Sequence, residues 1–448
     1  MSGTTTKFQP SPEVVEQGLY VAYAALASMA VLPIYFGSLG SIKKWKNPNE
    51  KNKKKKEKRD SDDESSDEED EVTETMSLED AYMFPIFGSA VLFGLYLVFR
   101  YIDKSYVNYL ITAYFSLLGV AAVTQVGVDI VSPLVKLTGI KVDRWHLNLT
   151  KKGKEFYSAR FTIIHMAMTV VSVLLTGYYT LTKNWIASNI FGMSFALNAI
   201  QLLALDSFKT GMILLSGLFV YDIFWVFGTE VMVSVAKNFD APVKVIFPRL
   251  FFGLPAGEAY QFAMLGLGDI VIPGVFVALC VRFDQHLAGT KNPNLGRSKR
   301  FAKPYFTACF IAYVIGLATT MYVMHTFKAA QPALLYLSPA CILSVLFMGA
   351  ARGELKQVFA YTSEDEADKK KKEEEAKKKK LEDEKNSGPK RTLPTTVLRE
   401  EPVVLKKTAA QDQNESAASA SGSDDASDQD PAQKQVRKRK GGKGNKKK

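Results

Sequence analysis

Apolar runs of about 20 residues recur along this 448-residue chain, and they restrict its fold more than any other feature. About 20 helical residues, rising 1.5 Å each, cross the roughly 30 Å hydrocarbon core of a bilayer. Inside that core every backbone polar group has to be bonded internally, which favours helices over open sheets. The runs therefore predict an all-α membrane protein with nine transmembrane helices. The predicted spans are residues 17–39, 81–100, 107–130, 160–181, 185–205, 210–236, 262–282, 303–325 and 331–351.

Charged residues make up 23% of the chain and concentrate outside these runs. Residues 43–76 pass from a lysine block into an acidic block, and residues 352–448 mix Lys, Glu, Ser and Ala. Neither segment can bury enough apolar surface to offset its chain entropy, so both are predicted to be disordered. The predicted organisation is a short N-terminal segment 1–16, a nine-helix core 17–351 and a disordered tail. The tail holds 25 Lys and Arg against 19 Asp and Glu, a mixture that does not indicate nucleic-acid binding.

The distribution of Lys and Arg between the spans predicts the orientation of the chain. With the N-terminus outside, the inside loops hold 24 Lys and Arg and the outside segments hold eight. Cytoplasmic loops carry the excess of these residues. The N-terminus is therefore predicted to be luminal, and both charged segments are predicted to be cytosolic. The sequons that begin at Asn148 and Asn414 then face the cytosol and are predicted to carry no glycan.

Two aspartates, Asp222 and Asp269, lie inside consecutive predicted spans. A charged side chain at the bilayer centre costs about 2.5–3.5 kcal/mol on insertion scales, so such groups are usually retained for function. Two neighbouring carboxyl groups share one proton and so provide a general acid and a general base at one site. That pair can activate water for attack on a peptide carbonyl. It also suits an ion or proton channel, or a non-catalytic substrate-binding scaffold, and the chemistry alone leaves these alternatives open.

Small and aromatic residues adjoin both aspartates. Gly266 and Gly268, on either side of Leu267, remove side chains just before Asp269. They permit close helix approach or a local unwinding that admits a substrate backbone. Tyr221, next to the other aspartate, is predicted to line the site or to hydrogen-bond in it.

A Pro-Ala-Leu motif, Pro332 to Leu334, opens the ninth predicted span. Proline is tolerated in a first helical turn because the N–H that it lacks has no helical partner there. A Pro332-Ala333-Leu334 entry is therefore predicted to present backbone groups to an extended peptide. The sixth span, residues 210–236, is longer than a bilayer requires, so it is expected to tilt or break.

Other protease chemistries have no sequence support in this chain. A His-Glu-x-x-His motif is absent from the sequence, so no zinc site and no cofactor are predicted. The three cysteines, Cys280, Cys309 and Cys341, are an odd number without close spacing. They are predicted to be buried small residues rather than a disulfide framework or metal ligands.

The Tyr-Asp, Gly-x-Gly-Asp and Pro-Ala-Leu motifs, in this order on the sixth, seventh and ninth spans, resemble the presenilin and signal peptide peptidase superfamily of intramembrane aspartyl proteases. The similarity extends over roughly residues 17–351 and is greatest to the signal peptide peptidases. It implies a presenilin-like fold with Asp222 and Asp269 as the catalytic aspartates. It further implies that Pro332, Ala333 and Leu334 support the active site and substrate docking.

The resemblance also implies a cellular role. The signal peptide peptidases of this superfamily cleave remnant signal peptides and type II transmembrane segments in the endoplasmic reticulum membrane, and they form homo-oligomers. Their orientation is the one predicted above and is opposite to that of presenilin. The predicted partners are therefore substrate helices, the lipid bilayer and further copies of the chain. Degradation-complex partners that bind the cytosolic tail are an additional hypothesis.

Overall fold

Helices dominate the computed structural model, which describes residues 12–42, 74–138, 144–151, 154–238, 241–249, 261–292, 301–327 and 331–363. The helices are α1 (Pro12–Gly40), α2 (Leu78–Tyr101), α3 (Lys104–Leu137), α4 (Ile163–Thr182), α5 (Trp185–Leu202), α6 (Phe208–Phe227), α7 (Val231–Asn238), α8 (Gly268–Lys291), α9 (Pro304–Phe327), α10 (Leu334–Ala351) and α11 (Leu355–Ala360). The strands are β1 (Glu74–Met76), β2 (Arg144–Lys151), β3 (Lys154–Thr162), β4 (Leu203–Leu205), β5 (Lys244–Pro248) and β6 (Phe262–Gly266).

The predicted fold class, a mostly helical multi-pass membrane protein, is confirmed. Within the described ranges, eight helices are long and apolar enough to cross a membrane: α1 to α4, α6, and α8 to α10. The fifth predicted span, residues 185–205, is helical only to Leu202, as α5, because its last three residues form β4. Helix α5 is not among these eight. Its 18 residues include Asn189 and Asn198, whose side chains bond to neighbouring elements. The polar groups that make α5 less apolar therefore have partners in the structure.

Helix α8 lies at the centre of the bundle. Every residue from Pro273 to Gln285 is buried, an unbroken stretch of more than three turns. A helix that is buried on all sides is enclosed by other helices, and α1, α5, α9 and α10 pack around this one. Helix α2, by contrast, keeps most of its surface exposed. Asp269 therefore sits at the start of the most enclosed helix of the described structure.

The seventh predicted span is only partly helical, and that prediction is corrected for residues 262–267. Residues Phe262 to Gly266 form strand β6, which pairs antiparallel with β5. Burial alternates along β6, with Ala263 and Leu265 buried and Met264 exposed, as expected for a strand with one face on the core. The glycines that flank Leu267 favour a chain that leaves this strand before the helix begins.

The sixth predicted span contains a break, as its length required. Helix α6 ends at Phe227, and α7 begins at Val231. Gly228 closes α6 with its N–H donated to the carbonyl of Phe224 at 2.9 Å. A side chain at Gly228 would meet that carbonyl oxygen, because an added Cβ would lie 2.5 Å from it. Glycine at this position therefore permits a close approach to the α6 backbone where the helix breaks.

The tail was predicted to be disordered from residue 352 onward, and that prediction is wrong for residues 352–363. Helix α11 packs on the end of α10, where Gly349 lets Leu355 and Val358 approach the helix backbone. Val358 is fully buried. The N–H of Ser363 then bonds to the carbonyl of Asp206 at 2.7 Å. The remaining tail, 364–448, lies outside the described residues.

The predicted disordered loop 43–76 is corrected at its end. Residues 74–76 form β1, which pairs in parallel with β4 after α5. The pairing places the end of the loop beside the α5–α6 connection, where Asp206 donates its N–H to the carbonyl of Met76 at 3.3 Å. Residues 43–73 lie outside the described residues, as do residues 1–11 of the predicted N-terminal segment.

A buried acid on α8, Asp284, caps the start of α9. Its carboxylate accepts the backbone N–H groups of Tyr305 at 3.3 Å and Phe306 at 2.9 Å. The first N–H groups of a helix have no helical acceptor, so a carboxylate there stabilises the helix. Asp284 is 2% exposed, which makes it inaccessible to water in this structure. The spacing of residues along the chain did not indicate this cap.

Replacing Asp284 with alanine is expected to lower stability without acting on the Asp222–Asp269 site. The substitution leaves two buried N–H groups without an acceptor, at a cost of about 1–3 kcal/mol for each. Asp284→Asn keeps one oxygen acceptor and is expected to lose less. The measurement is the thermal midpoint of the purified protein in detergent. An unchanged midpoint for Asp284→Ala would contradict the capping role.

Candidate active site

Asp222 lies in the fourth turn of α6 and is bonded to the start of α10. Its side chain is 6% exposed, and its Oδ2 accepts the backbone N–H of Leu334 at 3.2 Å. Ala333, the residue before the helix, supplies no side-chain cap. Asp222 therefore provides, from another helix, the acceptor that the first turn of α10 needs. The positive end of the α10 dipole faces this carboxylate.

The Pro-Ala-Leu motif forms the turn that presents this N–H. All three residues are buried. The carbonyl of Pro332 accepts the N–H of Leu335 at 3.3 Å, and the carbonyl of Ala333 accepts that of Tyr336 at 3.1 Å. Helix α10 consequently begins at Leu334 rather than at Gln331, where the predicted span starts. The backbone group that the motif presents points at Asp222, a contact that the sequence spacing did not reveal.

Asp269 is the second residue of α8, and a short turn separates it from strand β6. The turn between them is held by the N–H of Leu267, which bonds to the carbonyl of Val243 at 3.0 Å. The carbonyl of Leu267 in turn accepts the N–H groups of Ile270 at 3.1 Å and Val271 at 2.8 Å. Asp269 therefore stands at a junction between strand and helix.

The two glycines before Asp269 differ in their surroundings. A Cβ added to Gly266 would lie 3.3 Å from Oδ2 of Asp269, closer than most real contacts of this kind. Glycine at 266 therefore leaves room for the carboxylate. Gly268 is exposed, and an added Cβ would meet no other described atom within 4 Å. The predicted local unwinding is found at these glycines, because the chain is not helical until Gly268.

The structure brings the two carboxyl groups into one region. Helix α6, which carries Asp222, and helix α8, which carries Asp269, pack against each other and against α10. Tyr221 is half-buried and lines the α2 side of the site, where an added Cβ on Gly88 would lie 3.6 Å from its ring. Its ring centroid is 6.3 Å from that of Trp225. Tyr221 thus packs from α6 against α2.

Asn189 on α5 is a site-supporting residue that the sequence analysis missed. Its side-chain Nδ2 donates to the carbonyl of Ile246 at 2.7 Å, and its Oδ1 accepts the N–H of Ile246 at 2.9 Å. The amide thereby bonds to the outer edge of β5 as a neighbouring strand would. Asn189 is 5% exposed. An amide within an otherwise apolar run was the signal that could have identified it.

The outer edge of β6 has backbone groups that no described strand pairs with. Ile246 lies opposite Met264 in the antiparallel register, and Ile246 directs both of its backbone groups to Asn189, away from β6. In such a pair the partner also directs its N–H and C=O away from the ladder. The backbone groups of Met264, and of Gly266 two residues later, therefore face the outer edge. None of the described strands pairs with that edge. Strand β6 itself leads along the chain to Asp269.

Comparison with known proteins assigns the chain to a family. Residues 67–365 match the family model described as signal peptide peptidase. The protein belongs to the signal peptide peptidase family. It is 42% identical over 304 residues to the human signal peptide peptidase, covering 66% of this chain and 76% of that protein. The mouse signal peptide peptidase gives the same values. A probable intramembrane protease of Schizosaccharomyces pombe is 38% identical over 293 residues, covering 64% of this chain and 85% of that protein.

Membership of the signal peptide peptidase family confirms the predicted resemblance and makes this protein an intramembrane aspartyl protease. The region that matches the family model contains both aspartates and the Pro-Ala-Leu motif. The channel and scaffold alternatives, which the carboxylate chemistry left open, are therefore not retained. Helix α1 precedes the matched region, yet it packs directly against α8 and α5.

Proposed function

We propose that Asp222 and Asp269 are the catalytic pair of this protease. The observation that carries the proposal is the hydrogen bond between Asp222 and the N–H of Leu334. It joins the Tyr-Asp and Pro-Ala-Leu motifs at one point, and the second acid, Asp269, lies on α8, which packs against both of these helices. Such an arrangement of two enclosed carboxyl groups suits acid–base catalysis rather than packing.

The proposed reaction is hydrolysis of a peptide bond without a covalent intermediate. Two carboxyl groups at close range share one proton, so one is ionised and the other is protonated. The ionised group accepts a proton from water as the water oxygen attacks the peptide carbonyl carbon. The protonated group donates its proton to the substrate, and the departing nitrogen leaves as an amine. No metal and no cofactor take part in the proposed mechanism.

The outer edge of β6 is proposed to hold the substrate in an extended form. A peptide bond within a helix is enclosed by the helical hydrogen bonds and side chains, so the cleaved segment has to unwind. An extended segment can then bond to the open backbone groups of Met264 and Gly266 by strand addition. This pairing would carry the peptide towards Asp269. The side chain of Asn189 occupies the other edge of the sheet, so addition is directed to β6.

The substrate class is proposed to be remnant signal peptides and type II transmembrane segments. The chain is proposed to act in the endoplasmic reticulum membrane as a homo-oligomer, with degradation-complex partners bound to its cytosolic tail. Support comes from the predicted orientation, with the N-terminus luminal, because a protease of this orientation should prefer a substrate helix of matching direction. The test is incubation of the purified protein with a signal-peptide substrate in detergent. Absence of any cleavage product by mass spectrometry would reject this substrate class.

The proposed orientation predicts that neither sequon is glycosylated. Asn148 and Asn414 both face the cytosol in this topology, where the glycosylation machinery has no access. The measurement is the electrophoretic mobility of the protein before and after glycosidase treatment, in the wild type and in Asn148→Gln and Asn414→Gln variants. No shift is expected in any of them. A shift that disappears with either substitution would overturn the orientation.

A further inference from the structure

A proline inside α8 removes the helical hydrogen bond of the Asp269 main chain. In an α-helix the carbonyl of each residue accepts the N–H of the residue four positions later. For Asp269 that residue is Pro273, which has no N–H to donate. Pro273 is buried, so water is not available there as a substitute donor. The carbonyl of Asp269 therefore needs a donor from outside its own helix.

Tyr313 of α9 supplies that donor. Its hydroxyl group donates to the main-chain oxygen of Asp269 at 3.3 Å. The side chain of Tyr313 is fully buried, with 0% exposed. A buried hydroxyl normally has a hydrogen-bond partner, and here the partner is the residue that carries one of the two site carboxyl groups. The bond joins residues that are 44 positions apart in the chain.

We infer that Tyr313 is a positioning residue for Asp269. Its hydroxyl takes the place of the amide that Pro273 lacks and so fixes the first turn of α8. That turn sets the direction in which the Asp269 side chain leaves the backbone. Because Tyr313 is fully buried and its hydroxyl bonds to the main chain, it acts through Asp269 and not on the substrate. The inference rests on the proposed catalytic role of Asp269.

The hydrogen bond from Tyr313 matters because Asp269 lies at a junction between a strand and a helix. Before it lies strand β6, and after it the backbone bonds of Ile270 and Val271 both end on one carbonyl, that of Leu267. The junction has no preceding helical turn to hold it. A shift of about 1 Å in a reacting group can lower the rate about 100-fold. Loss of the Tyr313 bond is therefore expected to slow the chemical step more than it weakens substrate binding.

A double-mutant cycle between Tyr313 and Pro273 tests the inference. Tyr313→Phe removes only the hydroxyl, and Pro273→Ala restores the amide N–H that can bond to the carbonyl of Asp269. With a signal-peptide substrate and purified protein, Tyr313→Phe is expected to lower kcat about five- to tenfold, with KM nearly unchanged. In the Pro273→Ala background the same substitution is expected to change kcat less than about twofold.

Two reference variants make the outcome decisive. Tyr305→Phe alters another fully buried tyrosine of α9, whose hydroxyl bonds to Glu354 at 2.9 Å, and is expected to keep the wild-type kcat. Asp269→Asn reports on the proposed function itself, and cleavage retained in that variant would reject the catalytic role of Asp269. With Asp269→Asn inactive, an unchanged kcat in Tyr313→Phe would overturn the positioning role. An equal loss from Tyr313→Phe in both backgrounds would also overturn it, because the hydroxyl would then act on something other than the carbonyl left open by Pro273.

Discussion

Asparagine in place of Asp222 or Asp269 is expected to abolish cleavage of a signal-peptide substrate. Asparagine is nearly the same size as aspartate, and at position 222 its amide oxygen can still accept the N–H of Leu334. It can neither ionise nor deliver a proton to the substrate. General acid–base catalysis alone contributes about 100- to 10,000-fold, and each carboxyl group is needed for it. We therefore expect each single variant to lose at least about 1,000-fold in kcat.

Asp284→Asn is the matched control for both variants. Asp284 is also an acid inside a membrane helix, on the same helix as Asp269, but its carboxylate bonds to the N–H groups that begin α9. Its substitution is expected to leave cleavage close to that of the wild type. Product formation followed by mass spectrometry, with a chromatographic check that each variant stays folded, is the measurement. Cleavage that persists in folded Asp222→Asn or Asp269→Asn would reject the proposed mechanism.

Leucine at position 189 is expected to have the second-largest effect, although Asn189 is on a helix with no proposed catalytic group. Leucine has the same branched arrangement of heavy atoms as asparagine, although it is bulkier, and it has no polar atoms, so the N–H and the carbonyl of Ile246 both lose their partner. Each buried backbone group left without a partner costs about 1–3 kcal/mol. The edge of β5 becomes open, and β6 is no longer held in position before Asp269. We expect kcat/KM to fall at least about tenfold.

Asn198→Leu separates this effect from a general loss of stability. Asn198 is on the same helix and also makes two hydrogen bonds, to the carbonyls of Ala122 at 3.0 Å and Ser194 at 2.8 Å. The first bond joins α5 to α3, the second lies within α5, and neither involves the sheet. Both leucine variants should have lower thermal midpoints, but only Asn189→Leu should lose most of its activity. Equal losses of activity, in proportion to the losses of stability, would show that Asn189 has no particular role at the sheet.

The positions where predicted helices are interrupted show how much of the fold the amino-acid pattern could predict. The sixth predicted span was expected from its length to tilt or to break, and the structure shows a break. The strand Phe262–Gly266 was not predicted, because four apolar residues before a glycine suit a strand or a buried helix equally well. What selects the strand is its antiparallel pairing with β5, a separate segment of the chain. Pairing between distant segments is a property of the folded chain.

The supporting residues were harder to predict than the two aspartates. An acid in an apolar run is costly wherever the run is placed, so Asp222 and Asp269 were identified without a structure. Nothing in its own span distinguishes Tyr313, and the amide of Asn189 is unusual in an apolar run but does not show which group it bonds to. Their importance comes from the backbone groups opposite them, Asp269 and Ile246, which only helix packing brings into reach.

Composition and residue order were sufficient to predict a multi-pass helical membrane protein, its two acids within apolar runs and its relation to the signal peptide peptidases. These features are local, because hydropathy, charge and short motifs are each read within one segment of the chain. The tertiary structure decided how the motifs meet: the N–H of Leu334 reaches Asp222 across 112 residues, and Tyr313 compensates for Pro273 at Asp269. Such contacts depend on the packing of α6, α8, α9 and α10 around one another, and that packing is absent from any single segment.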